Sequence, residues 1–337
     1  MQITVIIPSF KGSKNLSRTL TSLVRQTFSD FEVIVVDDNG KGTPEQINTE
    51  KVIRQFEDRL QLRYMVHPEN KNGAAARNTG LKVAKGEYIA LLDDDDVYLS
   101  SRLESALAAL KSNAAADICF TNVLIQRKGL LVKEVKPFCD KDIRKKLVAD
   151  TSIFGTGSNL FFSRKVYETI GGFNESYVRH QDIEYILRIL EKFEYCIDDS
   201  VQIVKCNEGT MNIPDYEKMK KSKKIYHSDF KFLIDLFNED EKRQYNQKEA
   251  ASLFFYCLGR ESKENLAAAK KELLQYRPLN KKEKVSLILT SIGTKNHNLF
   301  CITQPVFTYF KNRNCNNKMC RRIDAGILLE LKELSVI

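Results

Sequence analysis

Tryptophan is absent from this chain, paired cysteines are absent, and so is any long apolar run. No stretch approaches the roughly 18 apolar residues a membrane span needs, which excludes an integral helical membrane protein. Met1-Gln2-Ile3-Thr4 runs straight into a strand-like segment, so no signal peptide is expected. The chain therefore reads as cytoplasmic, with the cytoplasmic face of a membrane as its other location. The eight cysteines are scattered without C-x-x-C units and are expected to be reduced thiols. His297, Cys301, Cys315 and Cys320 gather near the C-terminus, but their spacings match no common zinc pattern.

What is present is ordinary for a globular chain: 42% hydrophobic and 29% charged residues over 337 positions, enough for a large core and more than one domain. The charge is unevenly placed. Residues 214–337 hold 24 Lys and Arg against 15 Asp and Glu, a surplus equal to the whole net charge of +9. Such a basic segment solvates a helical surface, forms an oligomer interface or contacts an anionic membrane. Nucleic acid is not expected as a partner, because no recognised DNA- or RNA-binding motif accompanies the charge.

In chain order, a β-branched run at 3–7 and segments at 31–36 and 62–66 read as strands, and the sequence predicts helices over 13–28 and 44–56. A further helix opens at Asn72-Gly73 and ends near Gly86, followed by a strand over 88–92 and a helix over 100–113. Beyond these come a strand pair at 118–126 and 130–135, a short helix at 143–148, a glycine-bearing loop at 154–159 and a strand at 160–162. Helices at 163–170 and 182–193 and a strand at 201–206 complete the segment. The alternation predicts an α/β fold, a mostly parallel sheet covered on both faces. After Pro214 the pattern becomes helical, around 226–238, 247–258, 262–276 and 280–291. Two domains are thus expected, 1–213 and a basic, mostly helical 214–337.

In open parallel sheets ligands bind beyond the carboxyl ends of the strands. Ser9, Asp38 and Asp93 each follow a strand end and are expected to converge on one cleft. Asp93-Asp94-Asp95-Asp96 is the most charged point on that rim. Adjacent carboxylates repel, and several anions in one place call for a cation; a solvated acidic loop is the other reading.

Val5-Ile6-Ile7-Pro8-Ser9-Phe10, Val35-Val36-Asp37-Asp38, Ala76-Arg77-Asn78-x-Gly80, Leu92-Asp93-Asp94-Asp95-Asp96 and Gly171-Gly172-Phe173-Asn174-Glu175 with Gln181-Asp182 follow one another here. In order and spacing they resemble the family 2 glycosyltransferases over roughly residues 1–210. The resemblance implies a GT-A fold and an inverting, metal-dependent transfer from a nucleotide-diphospho sugar, a UDP-sugar above all. The acceptor would be a glycan or a lipid-linked saccharide of surface polysaccharide or capsule synthesis. It implies Asp95 as ligand of Mn²⁺ or Mg²⁺, with a one-residue shift to Asp94-x-Asp96 left open, and Asp93 and Asp94 beside the ribose and diphosphate. Pro8, Ser9 and Phe10 would line the base pocket, Asp38 would accept the uracil N–H, and Arg77 would offset phosphate charge. Asp182 is the expected general base, with Gln181, Gly157, Ser158 and Asn159 near the acceptor.

Three departures from the family pattern stand out. Gln181 replaces a Glu, Phe10-Lys11 replaces Tyr-Asn, and the strand at 201–206 lacks a metal-binding His. Without Trp there is no Q-x-x-R-W motif, the mark of processive synthases, so one sugar per encounter is expected. A sugar nucleotidyltransferase or a catalytically silent nucleotide-binding scaffold are the alternatives. The first normally carries a basic glycine-rich loop after its first strand, which Lys11-Gly12-Ser13-Lys14 imitates only thinly.

Overall fold

The structure is a computed structural model that describes residues 1–177, 179–207, 216–258, 261–294 and 297–337, with backbone only at 293–294, 297–307 and 309–310. The first half alternates as the periodicity predicts: β1 (Ile3–Ser9), α1 (Ser13–Val24), β2 (Phe31–Asp37), α2 (Pro44–Ile53), β3 (Leu62–Val66), α3 (Gly73–Val83) and β4 (Tyr88–Leu91). Then follow β5 (Val97–Tyr98), α4 (Arg102–Ser112), β6 (Ala116–Arg127), β7 (Leu130–Val135) and α5 (Ile143–Ala149). A 3₁₀ turn at Gly157–Asn159, β8 (Phe161–Ser163), α6 (Arg164–Ile170), α7 (Gln181–Lys192) and β9 (Glu194–Asn207) come next.

The strands form one sheet in the order β3-β2-β1-β4-β8-β6-β9-β5, with β7 added on β6. Parallel pairing holds through β3-β2-β1-β4, where Ile3, Val5, Ile6 and Ile7 of β1 are buried between neighbours on both sides. Such two-sided burial is why β1 and β2 read as runs rich in β-branched residues, while β3, at the sheet edge, is only half-buried. Beyond β4 the sheet is mixed: β8 runs antiparallel to β4 and β6, and β5 antiparallel to β9. Gly80 lets α3 settle on β1, since a Cβ there would fall 2.4 Å from Ile6 Cγ2.

β9 begins seven residues before the expected strand because polar Asp198, Asp199 and Ser200 mask its first half. Its register on β6 slips at Thr121 and Asn122, and those two side chains donate to the carbonyls of Ser200 and Asp199 at 2.5 and 2.6 Å. β5, at two residues, is too short to show any periodicity.

The compact units are Met1–Thr210 with Cys315–Ile337, and Met211–Asn314. The expected boundary at 213/214 lies outside the described residues. Treating 214–337 as one region needs correcting, because its last segment rejoins the first unit. There Leu331, Leu334 and Val336 pack with Val97, Leu99, Leu124, Leu131, Val204 and Cys206. Gln126 donates to the Val336 carbonyl at 2.9 Å, and Glu330 accepts from the Ser100 N–H at 2.6 Å.

Within the second unit lie α8 (Tyr216–Asp229), α9 (Lys231–Ile234), α10 (Glu239–Cys257), α11 (Lys263–Leu274) and α12 (Lys281–Ser291). α13 (Leu299–Cys320) and α14 (Ala325–Glu333), neither expected, follow. α10 starts eight residues early because Asn238 and Glu241 form a capping box, each side chain bonded to the other's backbone N–H at 2.9 and 2.8 Å. Leu253, Phe254, Ala269 and Leu273 form this unit's own core with Tyr216. Among the described residues no helix is long and apolar enough to cross a membrane, and Cys119, Cys139, Cys196, Cys206, Cys257, Cys315 and Cys320 form no disulfide. His297 and Cys301 of the C-terminal cluster lie outside the described side chains.

Candidate active site

The carboxyl ends of β1, β2 and β4 meet as the topology requires. Asp38 N–H donates to the Ser9 carbonyl at 2.8 Å, and Phe10 N–H donates to Asp94 Oδ2 at 3.2 Å. Phe10 is itself exposed, with Lys11 Nζ 5.0 Å from its ring centre.

The four acids occupy four different environments. Asp93 Oδ1 accepts from Arg77 Nη2 at 2.6 Å. Asp96 turns inward, where Oδ2 accepts from Thr156 Oγ1 at 2.8 Å and Ser158 Oγ at 2.6 Å, and Oδ1 from Cys206 N–H at 3.0 Å. With three donors on a buried carboxylate, Asp96 acts as an anchor of the loop, which argues against the Asp94-x-Asp96 register. No donor among the described residues reaches the Asp95 carboxylate. Burial, reinforced by the charge of Asp93, pushes the Asp94 carboxyl up to about 7. Burial and the charges of Asp96, Asp93 and Asp94 likewise raise Asp95, while Lys205 pulls it down.

Asp93, Asp94 and Asp95 thus line one rim with oxygen donors, and burial and neighbouring charges oppose the ionisation of Asp94 and Asp95. That chemistry fits a hard divalent cation, and Mg²⁺ commonly takes only one or two carboxylates beside substrate phosphates. Among the described residues no three His, Cys, Asp or Glu side chains form a ready cage for a metal ion.

Asp182 stands in the first turn of α7, whose Ile183, Tyr185, Ile186, Leu187 and Ile189 are buried. No donor among the described residues touches its carboxylate. A methyl group on Gly157 would lie 3.7 Å from both Asp182 Oδ2 and Asp93 Oδ2. Gly157 therefore leaves open a space bordered by both acids.

Several expected contacts are used within the protein instead. The Asp38 carboxylate, which was to accept from uracil, already accepts four hydrogen bonds at 2.7–2.9 Å, from His67 Nδ1, Asn70 Nδ2 and the N–H groups of Lys71 and Asn72. Four donors fill the acceptor capacity of a carboxylate, so Asp38 organises the loop that leads into α3 and Arg77. Ser158 Oγ bonds Asp96 and accepts from Asp93 N–H at 3.0 Å. The Asn159 side chain bonds Thr121 N–H, Thr121 O and Phe154 O, each at 2.9 Å. Both side chains are buried and hold the acid loop through these bonds. Gln181 accepts from Arg77 Nη1 at 3.2 Å and donates to Tyr177 O at 2.7 Å, so it bridges Arg77 to α7.

The sequence reading passed over Thr156, Asn70, His67, Lys205 and the role of Asn78. Asn78 Oδ1 accepts from Phe173 N–H at 2.7 Å, and Nδ2 donates to Phe173 O at 2.9 Å and Glu175 Oε1 at 2.8 Å. Its place in a shared motif was the one available signal. Lys205 donates to the Gly155 carbonyl at 3.3 Å.

Comparison with known proteins bears on this site. The family profile described as Glycosyl transferase family 2 matches residues 4–171. An uncharacterized glycosyltransferase of Rickettsia felis is 30% identical over 206 residues, 60% of this chain and 33% of that protein. The GalNAc(5)-diNAcBac-PP-undecaprenol beta-1,3-glucosyltransferase of Campylobacter jejuni is 33% identical over 146 residues, 43% of this chain and 44% of that protein. The chain thus spans less than half the length of these two relatives. The crystal structure of S. aureus TarS 1-349 in complex with UDP-GlcNAc superposes with a TM-score of 0.55 at 16% identity, over 92% of each chain.

Proposed function

Since this chain belongs to glycosyl transferase family 2 and has its GT-A fold, we propose that it transfers one sugar, with inversion, from a UDP-sugar to a saccharide or lipid-linked saccharide acceptor of surface polysaccharide biosynthesis. The observation that carries this reading is the pair Asp93 and Asp182 flanking the space that Gly157 leaves open. The UDP-GlcNAc bound by TarS supports the donor class, and the undecaprenol-linked substrate named for the Campylobacter jejuni relative supports the acceptor class.

Inversion needs one in-line displacement and one base. Asp182, with no competing donor among the described residues, takes the proton of the acceptor hydroxyl as the hydroxyl oxygen bonds to the anomeric carbon. The bond from that carbon to the diphosphate oxygen breaks, and UDP leaves with the electron pair. Arg77, fixed by Asp93 and Gln181, brings positive charge to the rim where the diphosphate lies. The exposed Phe10 ring offers the base a stacking surface, beside Pro8 and Ser9. Asp95, with Asp94 beside it, would hold Mn²⁺ or Mg²⁺; when bound, the ion supplies Lewis-acid neutralisation of the leaving diphosphate. The lysines at 218–224 in α8 would contact an anionic membrane at its cytoplasmic face. Liposome binding unchanged after replacing Lys220, Lys221, Lys223 and Lys224 would refute that contact.

A screen of nucleotide sugars for Mn²⁺-dependent nucleotide release tests the whole. UDP release with transfer marks a transferase, pyrophosphate a nucleotidyltransferase, and neither a scaffold. Asp182→Asn should lower transfer by about 10²–10⁴-fold while UDP still binds, and Asp95→Asn should weaken both. Full activity in Asp182→Asn would refute the mechanism.

A further inference from the structure

Side chains alternate across a strand, and β9 shows what this does to Lys205. Val204 and Cys206 point into the cluster completed by Leu331, Leu334 and Val336. Ile203 points the other way, into the core shared by Leu92 and Tyr98, which bracket the four acids in sequence. Lys205 lies on that second face. Its ammonium is held 3.3 Å from the Gly155 carbonyl. The next residue along that loop, Thr156, bonds Asp96 Oδ2, and the residue after Lys205 bonds Asp96 Oδ1 through its N–H. The ammonium is therefore built into the frame of the acid loop, and it rests on a carbonyl rather than on a carboxylate.

We propose that Lys205 is a tethered counter-ion of the Asp93–Asp96 cluster, which an incoming divalent cation must outcompete and which then turns to the donor diphosphate. The proposal rests on the reading that the cluster takes Mn²⁺ or Mg²⁺. A lysine suits the task because its ammonium is a compact charge on a flexible stem, free to change partners without losing its charge. Repulsion between the ammonium and a divalent ion keeps the metal loosely bound in the absence of nucleotide. A diphosphate supplies anionic oxygens for both cations, so metal and nucleotide bind cooperatively. Coupling of this kind is reciprocal: each ligand tightens the other by the same factor.

The test is Mn²⁺ titration of the full chain, with free Mn²⁺ followed by electron paramagnetic resonance, in the presence and absence of UDP. Lys205→Gln removes the charge and keeps a donor for the Gly155 carbonyl; Lys205→Arg keeps the charge. Without UDP, Lys205→Gln should bind Mn²⁺ about tenfold more tightly than the natural protein, the order expected for one removed unit charge at partly screened range, and Lys205→Arg should match the natural protein. UDP should tighten Mn²⁺ binding more in the natural protein than in Lys205→Gln. Equal or weaker Mn²⁺ binding by Lys205→Gln overturns the proposal while leaving the metal reading intact. So does a large fall in its Tm, which would assign Lys205 to holding the loop. Absence of Mn²⁺ binding in all three proteins, even with UDP, overturns the metal reading itself and the proposal with it.

Discussion

Replacing Asn78 by Ala removes three hydrogen bonds that one side chain makes to a distant segment: two to the Phe173 backbone and one to Glu175. The two backbone bonds are partly buried, and their loss leaves an N–H and a C=O without partners. At roughly 1–1.5 kcal/mol for each group left unsatisfied, the cost is about 2–3 kcal/mol. For a unit of this size that corresponds to a fall in Tm of about 5–10 °C. The loss extends beyond stability. Phe173 stacks on Tyr185 of α7 at 4.1 Å and lies 5.6 Å from the Arg77 guanidinium, so the segment that Asn78 clamps sets both α7, which carries Asp182, and Arg77. Transfer should therefore fall in Asn78→Ala even at temperatures where the fold is intact. Asn78→Asp sharpens the test. It keeps the acceptor for Phe173 N–H but sets a carboxylate against Phe173 O and Glu175, so at pH 7 it should be at least as unstable as Ala. Below pH 5 the protonated acid donates again, and the two should separate in favour of Asp. Calorimetric melts across pH measure this, and a Tm for Asn78→Ala within 1 °C of the natural protein would refute the clamp.

Two further outcomes follow from the acid loop. Gly157→Ala meets only ordinary van der Waals distances of 3.4–3.7 Å to its neighbours, so Tm should stay within about 2 °C while the methyl fills the space between the two acids and cuts turnover by about tenfold or more; unchanged turnover would mean the reacting groups do not meet there. The pH dependence has a definite sign. Asp94, Asp95 and Asp96 all have carboxyl pKa values raised in the fold, Asp94 to about 7 from 3.8, so between about pH 4 and 7 the folded chain binds more protons than the unfolded one. Metal-free protein should lose stability as pH rises through that window, and Mn²⁺ should raise Tm more at pH 8 than at pH 5.5. A Tm that climbs with pH over the same range without metal would contradict it.

β1 and β2 were legible because burial on both faces favours β-branched runs, β4 because it is a buried apolar run, and the rim followed from where those runs stop. The acids could be named for the same reason, since charge next to a buried strand end is visible in one dimension, whereas Arg77, inside α3, was named only by its place in a shared motif. Which hydrogen-bond partner a side chain takes is not. Nothing local distinguishes a Ser158 that meets a sugar from one that bonds Asp96, or an Asp38 that waits for a base from one already saturated by Asn70, His67 and two N–H groups. The same limit hid the return of 315–337: its pairing partners, Val97 to Cys206, lie more than a hundred residues earlier, and periodicity carries no record of them.

That return also sets an order of events during synthesis. The apolar patch formed by Val97, Leu99, Leu124, Val204 and Cys206 emerges from the ribosome well before Leu331, Leu334 and Val336. For the time it takes to make roughly a hundred intervening residues, seconds at ordinary elongation rates of about 5–20 residues per second, the patch is bare. The second unit has its own core and so is free to fold during that interval, while the sheet that carries the acid loop waits for its closing segment. A nascent chain halted anywhere between is a client for chaperones.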